Sequence, residues 1–377
     1  MKEFKKALKK GAVLRSDKNI YTIIEPEQQD GFGITYLATG EPLNPIVEPR
    51  PRHGLSQITS PLPLQRSAPV EPAPMKKYVI REHFMFHCSD RADDDKELAI
   101  DEYSESTVDD FQQVFRNTVE CLKKATQGNE DFLQLVDDFE ANGTYYYVTE
   151  YLEGPTLRKY IEENGAIPVR GARILLEPIF KAVRRFHTNR ILHTGLSPDA
   201  IIIDRHADGT VRPVLTQLYS CKMFTPEGEG ALQLPPLSCP DRYAPREQYG
   251  ELDKFLPQTN LYSLGAILTY ALTGEEPPLA EDVDEDIISS MLPDNIPESF
   301  RVATIKAMSP DWHDRYESVT VFNSALLSSI VTDDDRIRTE EHNAPAARRK
   351  RRLTRWIILG VIVSLLVALA IIISINI

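Results

Sequence analysis

The chain has 377 residues, 42% apolar and 26% charged, which excludes a wholly disordered or collagen-like polymer and leaves room for a large or two-lobed core. Its net charge of −13 argues against nucleic acid as a partner, since phosphate binding needs a basic face. The four cysteines, Cys88, Cys121, Cys221 and Cys239, form no Cys-x-x-Cys pair, so the thiols read as reduced and cytosolic, with neither a disulfide framework nor a zinc site.

Residues 1–13 form a basic segment (Lys2, Lys5, Lys6, Lys9, Lys10) without the apolar run of a signal peptide. Strand-like stretches follow at Tyr21–Ile24, Ile34–Ala38, Tyr78–Glu82 and Tyr145–Tyr151. Between the second and third of these, residues 41–74 hold nine of the chain's 27 prolines and read as a polyproline-rich insert. It is either an inert spacer or a docking peptide. The acidic run Asp93–Glu97 reads as a solvated loop. Ala172, Leu175, Leu176, Ile179, Val183 and Phe186 make a helical stripe in 171–187, with Pro178 as a local distortion. Leu261–Leu272 is a second apolar helix, with Asn260 as a candidate N-cap. Strands first and helices afterwards give an α+β class.

The polar stretch 331–347 leads into RRKRRLTR at 348–355, six basic residues without an acid; the rest of the chain then carries −19. Residues 356–377 are 22 residues without a charge. At about 1.5 Å per residue such a helix crosses a bilayer core of roughly 30 Å. The expectation is a single-pass cell-membrane protein with a C-terminal anchor; the preceding cations place residues 1–355 in the cytoplasm and face anionic membrane lipid. Gly360, Ser364 and Ala368 share one helix face, through which two copies could form a homodimer.

Six segments, in order, resemble the protein kinases, in particular the bacterial eukaryotic-like Ser/Thr branch. GFGITYLA (31–38) is similar to the end of the glycine-rich loop and the second strand, and YVIREHF (78–84) to the strand that carries the ATP-binding lysine. NGTYYYVTEYLEGPTL (142–157) resembles the fifth strand and hinge, and FHTNRILHTGLSPDAIII (186–203) the catalytic-loop region. RYAPREQYG (242–250) resembles the Ala-Pro-Glu segment and LYSLGAILTYALTGEEPP (261–278) the helix after it. The resemblance runs from Leu14 to Ile330. It implies a two-lobed α+β fold, with a β-rich lobe over 14–152 including the insert and a helical lobe over 153–330. Arg315 would pair with Glu247, and Asn260 would replace an aspartate that braces the catalytic loop.

The same alignment implies a depleted active site. Phosphoryl transfer needs cradled phosphates, held metal ions and an oriented hydroxyl. The glycine-rich loop aligns with Gln28, Gln29, Asp30, Gly31, Phe32 and Gly33, where Asp30 would repel phosphate. Arg81 stands at the lysine position and Thr118 at that of its glutamate partner; Glu120 lies about 200° away around the helix. His193 remains, but the following arginine and catalytic aspartate become Thr194 and Gly195. The two metal ligands become Ala200 and Gln217, and the Asp-Phe-Gly triplet becomes Gln217, Leu218 and Tyr219. No metal site remains. Losing one positioned electrostatic group costs about 10²–10³ in rate. The resemblance therefore implies a pseudokinase that engages a protein partner at the membrane face and requires no cofactor. ATP without metal could still be held by Gly31, Gly33, Arg81 and the hinge residues Thr149, Glu150 and Leu152. An atypical active Ser/Thr kinase using Asp30, Asp199 or Asp204, or an ATP-binding switch, is the alternative.

Overall fold

The computed structural model describes residues 4, 6–43, 75–92, 94–128, 132–205, 209–226, 239–250 and 256–327. The small lobe is a six-stranded antiparallel sheet: β1 (Val13–Arg15), β2 (Asn19–Asp30), β3 (Gly33–Pro42), β4 (Lys76–His83), then β8 (Thr144–Glu150) and β7 (Leu135–Ala141). A separate hairpin, β5 (Ser89–Arg91) and β6 (Leu98–Ile100), and the helix α1 (Glu105–Thr126) lie between β4 and β7. The acidic run expected as a solvated loop is the tip of this hairpin, where Asp94 caps the amides of Lys96 and Glu97.

Alternation along β4 divides the small lobe chemically. Arg81 and His83 face α1, while Glu82 faces the opposite side, where it is fully buried. There its carboxylate accepts from Arg91 at 2.6 Å and from the hydroxyls of Tyr36 and Tyr146, each at 2.6 Å. Tyr36 accepts in turn from the Leu8 amide, and Arg91 donates to the Lys6 carbonyl. The basic segment expected to precede the lobe is therefore part of it. Leu8 is buried with Leu14, Tyr21 and Ile34, and the neighbouring Lys6 ammonium donates to the carbonyls of Phe86 and Ser89.

The sheet's register also locates the proline-rich insert. Gly40 of β3 pairs with Lys76 of β4, so the chain leaves and re-enters the sheet at neighbouring positions. Residues 44–74 themselves lie outside the described residues.

The helical lobe holds α2 (Leu157–Asn164), α3 (Val169–Thr188), β9 (Ile191–His193), β10 (Ile201–Arg205), β11 (Val211–Leu215), β12 (Cys221–Met223), α4 (Pro257–Thr273), α5 (Glu285–Met291) and α6 (Glu298–Ala307). α3 continues through Pro178, and its stripe of Ala172, Leu176, Ile179, Val183 and Phe186 is buried. α4 is buried along nearly its whole length, from Thr259 to Leu272. Asn260 is not its N-cap. The helix begins at Pro257, whose missing N–H costs nothing in a first turn, and the cap position is Leu256. Asn260 is instead a fully buried anchor for another segment. No helix among the described residues is long and apolar enough to cross a membrane, and the expected span at 356–377 lies outside them.

Candidate nucleotide cleft

The cleft between the lobes is floored by Asp199 and residues 216–219 and roofed by β2, β3 and β4. His193 is buried, and burial holds its imidazole neutral, with a pKa lowered to about 4. Its Nε2–H donates to the Thr216 carbonyl at 2.8 Å. Its backbone is clamped from both sides by Asn260, whose Oδ1 accepts from the His193 amide and whose Nδ2 donates to the His193 carbonyl. His187 lies 3.1 Å from the same Oδ1. An amide can do what a carboxylate cannot here, since it supplies both an acceptor and a donor.

The residues that the sequence resemblance aligns with catalytic groups make the following contacts. The Thr194 hydroxyl donates to the Ser220 carbonyl at 2.8 Å, deep in the lobe. Gly195, in the catalytic aspartate's place, offers no side chain at all. Ala200 sits with its methyl in the large core, and its carbonyl accepts from the Thr216 amide and hydroxyl. Gln217 adopts a left-handed backbone, φ 55°, and its Nε2 donates to the Asp199 carbonyl at 3.2 Å. Its neutral amide oxygen is a weaker magnesium ligand than a carboxylate.

The three acids near the cleft are each in an ion pair. Asp199 accepts from Arg158 at 2.8 Å, and the same guanidinium also reaches Glu276. Asp204 accepts from Arg212 at 2.9 Å. Asp30 accepts from Arg81 at 2.5 Å. Asp30, expected only to repel phosphate, is thus the counter-ion of Arg81. Gly33 makes this approach feasible: a Cβ there would lie 2.6 Å from the Arg81 guanidinium. Arg81 also donates to the Thr35 hydroxyl, and its guanidinium lies over the Tyr219 ring at 4.4 Å. Tyr219 completes the closure by donating its hydroxyl to Gln28 of the opposite lobe at 3.0 Å. Asp30, Arg81, Tyr219 and Gln28 are therefore joined by contacts across the cleft.

The cavity between the lobes, of about 310 Å³, is bounded by Val79, Thr149, Glu150, Leu152 and Ile202 on one side and by Gln28, Arg81, Gln217 and Tyr219 on the other. Gly31 has open space around it and does not line this cavity. Thr118 lies on α1 beside a different cavity, which it shares with Arg81, while Glu120 points away and pairs with Lys123. Far below, Arg315 binds Glu247 through two nitrogens at 2.6 and 3.2 Å, with both side chains fully buried. Its remaining donors meet the carbonyls of Ser309, Pro310 and Gln258.

The sequence patterns missed the plug itself. Tyr219 gave no signal beyond its place in the degenerate triplet, whereas the alternation around Arg81 could have revealed His83 beside it.

A profile of the protein kinase domain matches residues 86–343, more than half of the chain, and the chain belongs to that family. The match begins after Arg81, so the strands that carry the altered loop and lysine position lie outside it. Among curated relatives, the serine/threonine-protein kinase PrkC of Bacillus subtilis is 24% identical over 251 residues, 63% of this chain and 37% of the relative. The serine/threonine-protein kinase PknA of Nostoc sp. is 26% identical over 201 residues, 52% of this chain and 34% of the relative. The chain thus spans about a third of the length of these relatives. The solved structure of the apo form of PpkA-294 superposes with a TM-score of 0.56 at 20% identity, over 85% of this chain and all of the other, and shares the two-lobed fold.

Proposed function

We propose that this kinase-family domain is catalytically deficient and acts by binding a protein partner, tethered through residues 356–377 to the cytoplasmic face of a membrane. The observation that carries the reading is the joint occupation of the phosphate site. Asp30 and Tyr219 hold Arg81 from two sides, and Gly195, Ala200 and Gln217 stand where the family places its base and metal ligands. Phosphoryl transfer is mostly positioning plus charge stabilisation, so losing several such groups leaves negligible turnover. The acids Asp30, Asp199 and Asp204 do not replace them, each being committed to an arginine.

The full-length chain incubated with radiolabelled ATP and Mg²⁺ or Mn²⁺ tests this. No transfer to itself or to a generic protein substrate is expected. Transfer that disappears in a variant unable to bind nucleotide overturns the reading.

The open cavity between the lobes supports a second reading, a nucleotide-binding switch without catalysis. A cavity of about 310 Å³ beside Thr149, Glu150 and Leu152 suits a nucleoside. Thermal shift with ATP, with and without Mg²⁺, separates the two, since a ligand that binds the folded state stabilises it by mass action. The partner is sought by capture on the membrane-inserted protein, with and without residues 41–74. Loss of a partner only in the shortened form makes the insert the docking element.

A further inference from the structure

The cavity between the lobes has an apolar part, with Val79 of β4 from one lobe and Ile202 of β10 from the other, and a polar part that is unbalanced in charge. Glu27, Glu150 and Asp199 line it, against one cation among the described lining residues, Arg81. Arg81 is already paired with Asp30 at 2.5 Å, and another of its nitrogens donates to the Thr35 hydroxyl. The arginines beside the other acids do not even the count, because each is shared between two carboxylates. Arg212 serves Glu150 and Asp204, and Arg158 serves Asp199 and Glu276. Glu27 has another acid, Glu25, as its electrostatic neighbour. Among the described residues no group of three metal ligands stands ready to bridge phosphates to these acids.

Hydrogen bonding leans the same way. Tyr219 gives its hydroxyl to the Gln28 oxygen and Thr216 its hydroxyl to the Ala200 carbonyl. Gln217 gives its Nε2 to the Asp199 carbonyl, which leaves its amide oxygen as an acceptor beside the carboxylates. A phosphate chain brings negative charge and acceptors to such a site, whereas a ribose brings hydroxyl donors and no charge. We infer that this cavity takes an uncharged nucleoside and discriminates against its phosphates, so that affinity falls with each phosphate added. The base lies between Val79 and Ile202, and the sugar hydroxyls donate to acceptors among Glu27, Asp199 and Gln217. Each phosphate meets like charge in a partly enclosed site, where repulsion is weakly screened. Such a ligand presupposes the second reading above, that the cavity is a ligand site, and it names the class: the nucleoside and not the nucleotide.

The test is calorimetric titration of the full-length chain in nanodiscs of zwitterionic lipid with adenosine, AMP and ATP, blanked against empty nanodiscs. Adenosine is expected to bind at least about tenfold more tightly than ATP, with AMP between them and the same order with and without Mg²⁺. Asp30→Asn releases Arg81 from its counter-ion. It is expected to raise the affinity for ATP at least about tenfold and to leave that for adenosine within about threefold. Circular dichroism reports folding, and Glu27→Gln, at the rim, is expected to act in the same direction should Asp30→Asn fail to fold. ATP binding as tightly as adenosine, or no gain for ATP in a folded variant, overturns the inference and leaves the second reading standing. No binding of any of the three, by calorimetry and by thermal shift, overturns both.

Discussion

Tyr219 and Gln28, 191 residues apart in sequence, meet across the cleft through a 3.0 Å hydrogen bond from hydroxyl to amide oxygen. The bond joins the segment that the sequence resemblance aligns with the Asp-Phe-Gly triplet to the one it aligns with the glycine-rich loop. Two departures that look independent in sequence meet in one contact.

Removing that contact is expected to cost little stability and to change what the cleft admits. Tyr219→Phe keeps the ring under Arg81 and loses one partly exposed hydrogen bond, about 0.5–1 kcal/mol by urea denaturation. The double variant Asp30→Gly, Tyr219→Gly removes both holds on Arg81. It is expected to gain an ATP-dependent thermal shift larger than any shown by the parent. An unchanged response to ATP would mean that the side chains are not what closes the phosphate half.

Glu247→Ala is expected to be among the most damaging single changes. It leaves the Arg315 guanidinium buried without a counter-charge, at a cost of about 3–5 kcal/mol. Replacing both, Glu247→Leu with Arg315→Met, should cost clearly less than the single change, because no lone charge remains. Denaturant titrations of the two variants check the ordering.

Asn260→Leu removes the acceptor for the His193 amide and the donor for its carbonyl together. Two buried backbone groups left unpaired cost about 2–4 kcal/mol. Asn260→Asp restores only the acceptor and is expected to fall between the parent and the leucine variant in melting temperature.

Stability is expected to fall as pH drops below the range of a free histidine. His83 and His193 are held neutral in the fold, each lowered to about 4, while in the unfolded chain they titrate near the usual 6.5. For a base whose folded pKa is depressed, the unfolded state takes up protons first. The loss therefore develops from about pH 6.5 down to about pH 4, at roughly 1 kcal/mol per histidine by about pH 5.5. His187, buried beside Asn260, is lowered to about 4 in the same way, and chemical denaturation at a series of pH values, repeated with His83→Gln, isolates one of the three contributions.

Much of this was legible from sequence because the fold-bearing positions follow simple periods. The stripe through Ala172, Leu176, Ile179 and Phe186 survives Pro178 because neighbouring packing, and not propensity, holds α3. Asn260 shows where local reading fails. An asparagine before an apolar run looks like a cap, and only the distant His193 reveals what it holds. The basic start of the chain misled for a related reason, since five lysines conceal one leucine that reaches the core. Within the cleft, residue identities disclosed where the chain departs from the pattern it resembles. They could not disclose that Asp30, expected only to repel phosphate, would bind the arginine beside it. That depends on how closely Gly33 lets two strands carry their side chains together.

The pairing of Gly40 with Lys76 has a consequence for the proline-rich insert. Because both ends leave the sheet side by side, the insert is a closed loop whose anchor points do not depend on its length. Loop-closure entropy grows only logarithmically, by about 0.6 kcal/mol per doubling. Shortening the insert to a few residues, or lengthening it severalfold, should leave the melting temperature of the sheet almost unchanged. This site can therefore acquire, lose or exchange whole recognition sequences while the domain that carries them folds as before.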